Sequence, residues 1–570
     1  MLPELLYGLI ILYLLYLLAM LIGIFIFNHA TLVAWFLERY PDAYRSGEYS
    51  TRYFTLSHYT AIHRAVPMLG PMLMAVIVSL IWKRRIAIVF FSELTNDITI
   101  VAGFVKDSFS MTSFKERSVL LICFILLLAI KIYLFATLPY QVDEVFNFVF
   151  FISKGPLHAS IFSNNHVLYN IIASIWWKLG VAPILASRLT SVLAGMAIHV
   201  LLYALVKLAF NFRVALFTLM LTGLTFWTNA FSVEGYSYML MAACWLLSIA
   251  SLLLNSKERN RGYYLFTACC ILGFYCSKLF LIPFMSTLMA WAILGINQGY
   301  GKETALSLLK ATVSVLVASS FLYLPMLLWS GVPALFATTI QSHDFISKSP
   351  ILMEIFSVMT EVNTKSYLAV SVSLLLTLIF FTRMDKRIKF ILLLHATGLA
   401  ALLLFILTAH VYPPSRAFIY LNILFYTTTA VAIAFVVSEL KFLSFTLGRM
   451  LLMSFLLIKL WSGIHILNHG WQNEAGGLQD KDFYRRLNSC TNQILAQTPA
   501  LIFTDRQDSY LNFYLRLAAM QTDVHVNFTY DDRYMEKSDV VILQNYFLTH
   551  ETFIPLGERE FGVVYVKEKR

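Results

Sequence analysis

Long runs of apolar residues without charge decide what this chain can fold into. Leu5 to Phe27, Leu120 to Ala136, Thr312 to Leu328 and Ile391 to Leu407 each run for about seventeen or more nearly uncharged residues, enough for a helix to cross the hydrocarbon core of a bilayer. In lipid a segment must satisfy its own backbone hydrogen bonds, so such runs are read as transmembrane helices. The rest of the composition agrees: 59% of the 570 residues are hydrophobic and 13% charged, about half the charge share of an ordinary soluble protein. No short apolar stretch with a small-residue cleavage site opens the chain, so Leu5 to Phe27 reads as a retained span.

A formal charge of +11 raises the question of nucleic acid, but the basic residues sit in short clusters between spans. Lys83-Arg84-Arg85, Lys207 with Arg213, Lys257 to Arg261 and Arg383 to Lys389 read as cytoplasmic anchors under the positive-inside rule. Placing them inside gives about thirteen spans, near 5–28, 67–82, 118–137, 185–207, 214–231, 236–254, 263–279, 279–297, 311–330, 367–382, 389–409, 417–437 and 449–467. The N-terminal part fits least well. Arg39, Arg45, Arg52 and Arg64 fall in a loop placed outside, and the apolar stretch Ile86 to Val105 carries Glu93 and Asp97. Either arrangement there leaves Lys115 to Arg117 inside and Asp143 outside. Five cysteines (Cys123, Cys244, Cys269, Cys270, Cys276) lie in the expected spans and Cys490 stands alone in the tail, so no disulfide framework is implied.

The fold class expected is therefore an all-α polytopic membrane protein with a small soluble α/β domain at its C-terminus. Its parts are an N-terminal membrane extension (1–117), a transmembrane domain (118–467) and the extracytoplasmic tail domain (468–570). In the loop after the third span, His166, Asn170, Ser174 and Lys178 recur every four residues among Val167, Leu168, Ile171, Ile172, Ile175 and Trp176, the pattern of a helix lying in the membrane interface. Val142 to Lys154 reads the same way. In the tail, Asp480 to Gln497 reads as a helix, and Ala500 to Thr504, Val540 to Leu543 and Phe561 to Val566 as strands. The tail carries no nucleotide loop, metal spacing or nucleophile signature.

The candidate chemistry lies in outer loops. Pro139-Tyr140-Gln141-Val142-Asp143-Glu144 puts two carboxylates just outside the membrane, where one can act as general base toward a hydroxyl. Alone, a loop acid is more simply a solvated one, yet a Phe- and Ile-rich loop against the bilayer is a poor place for idle charge. The next outward return, Phe231-Ser232-Val233-Glu234-Gly235-Tyr236-Ser237-Tyr238, adds Glu234, which alone reads equally as a turn residue. Arg188, Lys278 and Arg416 are the basic partners on that face. An arginine at a membrane surface grips a phosphate with two parallel bonds, or simply snorkels to headgroups. The proline pair before Ser415-Arg416 fixes the backbone there and gives Arg416 a defined direction.

These residues resemble the GT-C glycosyltransferases, in the branch containing the protein O-mannosyltransferases and the lipid A aminoarabinose transferase. The resemblance runs from about Ser118 to Val437. It rests on five motifs in family order: the Asp143-Glu144 pair, Asn164-Asn165-His166-Val167-Leu168-Tyr169, Ser187-Arg188-Leu189 entering a span, Glu234-Gly235-Tyr236-Ser237, and Arg416 before Ala417-Phe418-Ile419-Tyr420-Leu421. The resemblance implies inverting transfer of a sugar from a polyprenyl-phosphate carrier to an acceptor glycan, lipid or protein on the extracytoplasmic face of a bacterial cytoplasmic membrane. It makes Asp143, with Glu144, the catalytic carboxylates, and gives Glu234, His166, Asn165 and Tyr236 to the substrate pocket. Arg416, Lys278 and Arg188 fall to the donor phosphate. Where some relatives have a lysine before the Leu-Tyr of the interfacial helix, this chain has Asn164, Asn165 and His166, so His166, Lys278 or Arg416 must supply that contact. Some members use a divalent cation, but Asp143, Glu144 and His166 have no diagnostic metal spacing and no metal is assigned.

The loop Gly331 to Ser366, with Gln341, His343 and Asp344, is long enough to close over a substrate or to be a plain connector. The rival class is a transporter or flippase of a lipid-linked or phosphate-bearing substrate. That class places ionisable groups at the bilayer midplane, whereas here the spans read as nearly free of charge and no internal repeat is visible. An assembly subunit without catalysis is a third reading, in which Asp143 is dispensable.

Overall fold

The structure, a computed structural model, describes residues 2–39, 54–110, 113–161, 166–255, 262–297, 301–336, 386–409, 413, 415–439, 481–497, 499–504, 510–522, 526–529, 538–543, 553–555 and 563–567. The expected spans near 367–382 and 449–467, residues Asn164 and Asn165, and Gln341, His343 and Asp344 lie outside them.

The elements in order are α1 (Leu2–Ile26), α2 (His29–Arg39), α3 (Leu56–Trp82), α4 (Arg84–Ser110), α5 (Phe114–Thr137), α6 (Val142–Asn147), a π-helical turn (Phe148–Ile152), α7 (Pro156–Ile161), α8 (Val167–Lys178), α9 (Pro183–Ala209) and α10 (Phe212–Gly223). They continue with α11 (Phe226–Val233), α12 (Tyr238–Asn255), α13 (Tyr263–Cys276), α14 (Leu281–Asn297), α15 (Gly301–Phe336, kinked at Gly331), α16 (Lys386–Ala409) and α17 (Ile419–Glu439). The tail has α18 (Lys481–Leu495), β1 (Leu501–Thr504), α19 (Tyr510–Thr522), β2 (Asn527–Thr529), β3 (Val540–Leu543), β4 (Phe553–Pro555) and β5 (Val563–Lys567).

Among the described residues eight helices (α1, α3, α4, α5, α9, α15, α16, α17) are long and apolar enough to cross a membrane, and the pair α10–α11, bent by 66°, makes a ninth if it is one broken span. The three helices α12, α13 and α14 occupy positions read as spans from the sequence but have shorter apolar stretches. One helix long and apolar enough to cross is added to those read from the sequence: α4, the stretch in which Asp97 argued against crossing. The carboxylate of Asp97 is buried and accepts the backbone N–H of Gly262 at 3.0 Å and of Leu265 at 3.2 Å. It thus caps α13, whose first N–H groups have no partner within their own helix. Gly262 has φ +82°, and a Cβ there would fall 2.3 Å from the Ser251 carbonyl oxygen, so glycine is required.

Burial sorts the helices. The outer ones, α1 and α5, present Leu5, Leu9, Leu12, Leu121, Ile122 and Ile125 outward, as a lipid-facing surface should. By contrast α17 buries Ile419, Tyr420, Leu421, Ile423, Phe425 and Tyr426, with Asn422 and Thr428 among them, because it is surrounded. Small residues let helices close up: a Cβ on Gly195 of α9 would meet Ser232 Oγ of α11 at 2.3 Å.

The tail forms a mixed five-stranded sheet in the order β2-β1-β3-β5-β4, with β1 parallel to β2 and β3, and β5 antiparallel to β3 and β4. Leu487 and Ile494 of α18 and Leu511 and Leu515 of α19 pack with Ile502, Val540 and Ile542. The ring of Phe513 in α19 meets Phe146 at 5.2 Å and Phe150 at 5.6 Å, and Tyr514 donates its hydroxyl proton to the Tyr140 carbonyl. The tail therefore rests on the loop that follows α5.

That covering changes the reading of the loop. Val142 to Lys154, expected to lie in the interface, becomes α6 and a buried π-helical turn. The polar stripe of α8 also turns inward: Asn170 and Ser174 are buried while Ile175 is exposed. The side-chain amides of Asn170 and Asn147 exchange hydrogen bonds at 2.7 and 2.9 Å, and this pairing makes the inward polar face tolerable.

Candidate active site

Two segments, the loop leaving α5 and the turn leaving α11, bring the candidate residues together. Gln141 precedes α6, and its backbone N–H donates to Glu144 Oε2 at 3.0 Å. The Glu144 carboxylate is buried and also accepts Nε of Arg188 at 3.0 Å, Nη2 of Arg188 at 2.7 Å and the backbone N–H of Gly235. Its acceptor positions are filled. A Cβ on Gly235 would sit 3.1 Å from Glu144 Oε1 and 3.2 Å from Ser187 Cβ, so the glycine allows this approach.

Arg188 is equally committed. Besides Glu144, it donates to the carbonyls of Phe135 and Leu138 at 3.2 Å each and of Pro139 at 2.8 Å. All five guanidinium N–H groups are used. Read from the sequence as a phosphate ligand, Arg188 has no donor left for one; it frames the loop. Breaking such a buried pair costs about 3–5 kcal/mol, which makes the frame stiff.

Asp143 and Arg416 differ in kind. Arg416 Nη2 donates to Asp143 Oδ2 at 3.0 Å, with the side chains 25% and 61% exposed respectively. An exposed single-bonded pair is worth about 1 kcal/mol or less, so it opens easily. The Arg416 guanidinium also lies over the Tyr236 ring, 4.8 Å from its centre.

Below this pair, Glu234 is buried. Its Oε1 accepts from Gln141 Nε2 at 3.2 Å, and its Oε2 and the Tyr236 hydroxyl have no hydrogen-bond partner among the described residues. Burial pushes the Glu234 carboxyl up to about 7, Arg416 pulling it back and Glu144 adding to the rise. Burial raises the Tyr236 hydroxyl well above its usual range, with Asp143 reinforcing the effect. His166 Nδ1 lies 2.6 Å from Ser237 Oγ, and its ring contacts Tyr236 and Tyr238. Burial, together with the charges of Arg416 and Lys278, holds His166 at about 3, so it is a neutral imidazole at pH 7. Lys278 opens a short turn between α13 and α14.

Of the residues read from the sequence, Asp143, Arg416, Glu234, Tyr236 and His166 thus share one locality, with Lys278 in electrostatic reach. Glu144 and Arg188 form the frame beneath it, and Asn165 lies outside the described residues. Sequence reasoning missed Gln141, Ser187, which meets Tyr140 and Tyr169, and the Asn147–Asn170 pair. Only Gly235, beside an acid in a turn, signalled a close approach. Among the described residues no three His, Cys, Asp or Glu side chains converge as a metal set, and the Glu144 carboxylate has its acceptor positions filled by Gln141, Arg188 and Gly235.

No family model matches the chain, and no curated protein does. Solved structures do. ArnT from Cupriavidus metallidurans in the apo state aligns with 12% identity and a TM-score of 0.51 over 79% of this chain and 96% of that one. The chain shares the fold of that protein. Two looser likenesses accompany it: ArnT from the same organism bound to undecaprenyl phosphate (10% identity, TM-score 0.44, 83% and 97% covered), and the apo oligosaccharyltransferase of Archaeoglobus fulgidus (12%, 0.41, 72% and 64%). At 12% identity the likeness to the first of these is one of fold alone, and the chemistry of the site rests on its own residues.

Proposed function

We propose that this protein is an inverting glycosyltransferase that moves a sugar from a polyprenyl phosphate to an acceptor hydroxyl at the extracytoplasmic membrane surface. The observation that carries the reading is the Asp143–Arg416 pair, its guanidinium over the Tyr236 ring, beside two buried oxygens without partners among the described residues, Glu234 Oε2 and the Tyr236 hydroxyl, in a fold shared with ArnT. A buried polar atom without a partner calls for a water or a ligand, and beside an ion pair open to the surface sugar hydroxyls supply both donors and acceptors.

In this reaction Asp143 accepts the proton of the acceptor hydroxyl as its oxygen forms the bond to the anomeric carbon. The bond from that carbon to the phosphate oxygen breaks, and its electron pair leaves with the lipid phosphate. A phosphate leaving group needs charge stabilisation more than protonation, which Arg416 supplies, with Lys278 in reach. The choice of a polyprenyl phosphate as donor is supported by the site's basic residues at the membrane surface, Arg416 and Lys278, and is in keeping with the undecaprenyl phosphate with which ArnT itself has been seen. Neutral His166 and Glu234 orient hydroxyls, and Glu144 with Arg188 holds the loop.

The test is the glycan and glycolipid profile of cells with and without this chain. The expected result is one sugar-bearing product that disappears on deletion, returns with the native chain and does not return with Asp143→Asn inserted at native level. Return with Asp143→Asn would remove the base, and an unchanged profile on deletion would favour the transporter class.

A further inference from the structure

Lys131 is fully buried within the apolar helix α5. Its Nζ donates to Asn229 Oδ1 at 3.1 Å and to Ser232 Oγ at 2.9 Å, both on α11. Among the described residues it meets no carboxylate. An ammonium inside a membrane bundle is costly, and a methionine would fill similar space without that cost. Ordinary packing therefore does not explain this lysine.

Its partners do. Helix α11 has eight residues, too few to be stable by itself, and it follows a sharp break after α10. Asn229 splints that break, donating its amide to the carbonyls of Gly223 at 2.7 Å and Thr225 at 2.9 Å while its oxygen accepts from Lys131. Ser232, three residues on and so on the same helical face, takes the second bond and fits into the space left by Gly195 of α9. On a third side Thr228 Oγ1 donates to Asn422 Oδ1 of α17 at 3.3 Å. A cation beside the last turn of a short helix also complements the negative end of its dipole.

We propose that Lys131 is a positioning residue of the active site, locking α11 against α5. The two helices it joins open directly into the site: Glu234 follows the last residue of α11, and Asp143 lies six residues beyond the end of α5. Lys131 thus sets where Glu234, Gly235 and Tyr236 stand relative to Asp143, one layer below the Arg188–Glu144 frame. The inference rests on the sugar-transfer reading.

The test uses the full chain in proteoliposomes, supplied with a lipid extract containing polyprenyl-phosphate sugars and with the acceptor found by the deletion comparison. Lys131→Met is expected to insert normally and to unfold at or above the native temperature, since a buried charge is gone. Its kcat should still fall tenfold or more, with donor KM within about twofold. Asn229→Leu should show the same fall, and the double variant should be no slower than the slower single. Native kcat in folded Lys131→Met overturns the proposal. So does a loss of rate that tracks loss of folded protein in both single variants, or full additivity in the double. Absence of any transfer by the native chain would instead sink the functional reading itself.

Discussion

At the scale of residues, the two ion pairs of the site divide the work by their exposure. The buried Glu144–Arg188 pair is joined by two hydrogen bonds and held by five more, from the backbone N–H groups of Gln141 and Gly235 and to the carbonyls of Phe135, Leu138 and Pro139, so it offers an incoming ligand no open donor or acceptor. The exposed Arg416–Asp143 pair offers a phosphate a guanidinium at a cost of about 1 kcal/mol. If phosphate and Asp143 compete for Arg416, Asp143→Asn should bind undecaprenyl phosphate about threefold to fivefold tighter than the native chain. The gain should vanish when Arg416→Ala is also present. A calorimetric or fluorescence titration checks this, and a gain that persists without Arg416 would mean simple charge repulsion. Glu234 allows a second prediction. Its carboxyl is raised from 4.5 to about 7 by burial, so between those values the folded state holds a proton that the unfolded chain has lost. Stability then falls as pH rises through that window. The groups facing it are Gln141, Arg416, Glu144, Arg188 and Asp143. Between pH 5 and 8 the native chain should lose about 2 °C or more of unfolding midpoint relative to Glu234→Gln, and parallel curves would reject the raised value.

At the scale of elements, the site depends on pieces too short to stand alone. Helices α6 and α11 have six and eight residues, and both are held by tertiary bonds. The tail does this for α6, through Phe513 between Phe146 and Phe150 and Tyr514 on the Tyr140 carbonyl. Arg516 adds its guanidinium over the rings of Phe150 at 5.8 Å and Phe528 at 4.2 Å. Phe513→Ala removes a buried ring, a change that costs about 3–5 kcal/mol in a packed core. Amide exchange over residues 141–150 should speed up at least tenfold in that variant while β1 and β3 stay protected. Unchanged exchange would show that the tail merely covers the loop. The π-helical turn after α6 belongs here too, since such turns gather at functional sites.

At the scale of the whole molecule, α4 alters the topology. A single residue, Lys83, separates α3 from α4, so if both cross, the end of α4 returns to the side on which α3 began. With Asp143 outside and Lys115 to Arg117 inside, an α4 that crosses puts the α1–α3 connection inside and the Lys83-Arg84-Arg85 turn outside. That arrangement brings Arg39, Arg45 and Arg52 to the cytoplasmic side at the expense of Lys83, Arg84 and Arg85, so the positive-inside rule is nearly balanced between the two. In a chain stripped of its native cysteines, Lys83→Cys should react with an impermeant thiol reagent added outside and Asn28→Cys should not. The reverse pattern would mean that α4 does not cross.

The sequence by itself determined what depends on local composition. Apolar length made the spans, and alternation and turn residues made the tail helix at 481–495 and the strands at 501–504 and 540–543. The spacing of acids and bases named Asp143, Glu234 and Arg416, because charge in an apolar setting is visible in a string of letters. Only the tertiary structure could decide partnership. Asp143 and Glu144 are neighbours with the same chemistry, yet one is exposed and lightly held while the other is buried with every acceptor filled. Arg188 and Arg416 differ in the same way. Asp97 looked like an obstacle to a span until Gly262 and Leu265, more than 160 residues later, gave it N–H donors. The cost of a buried charge is set by what surrounds it, and those neighbours come from helices far apart in the chain.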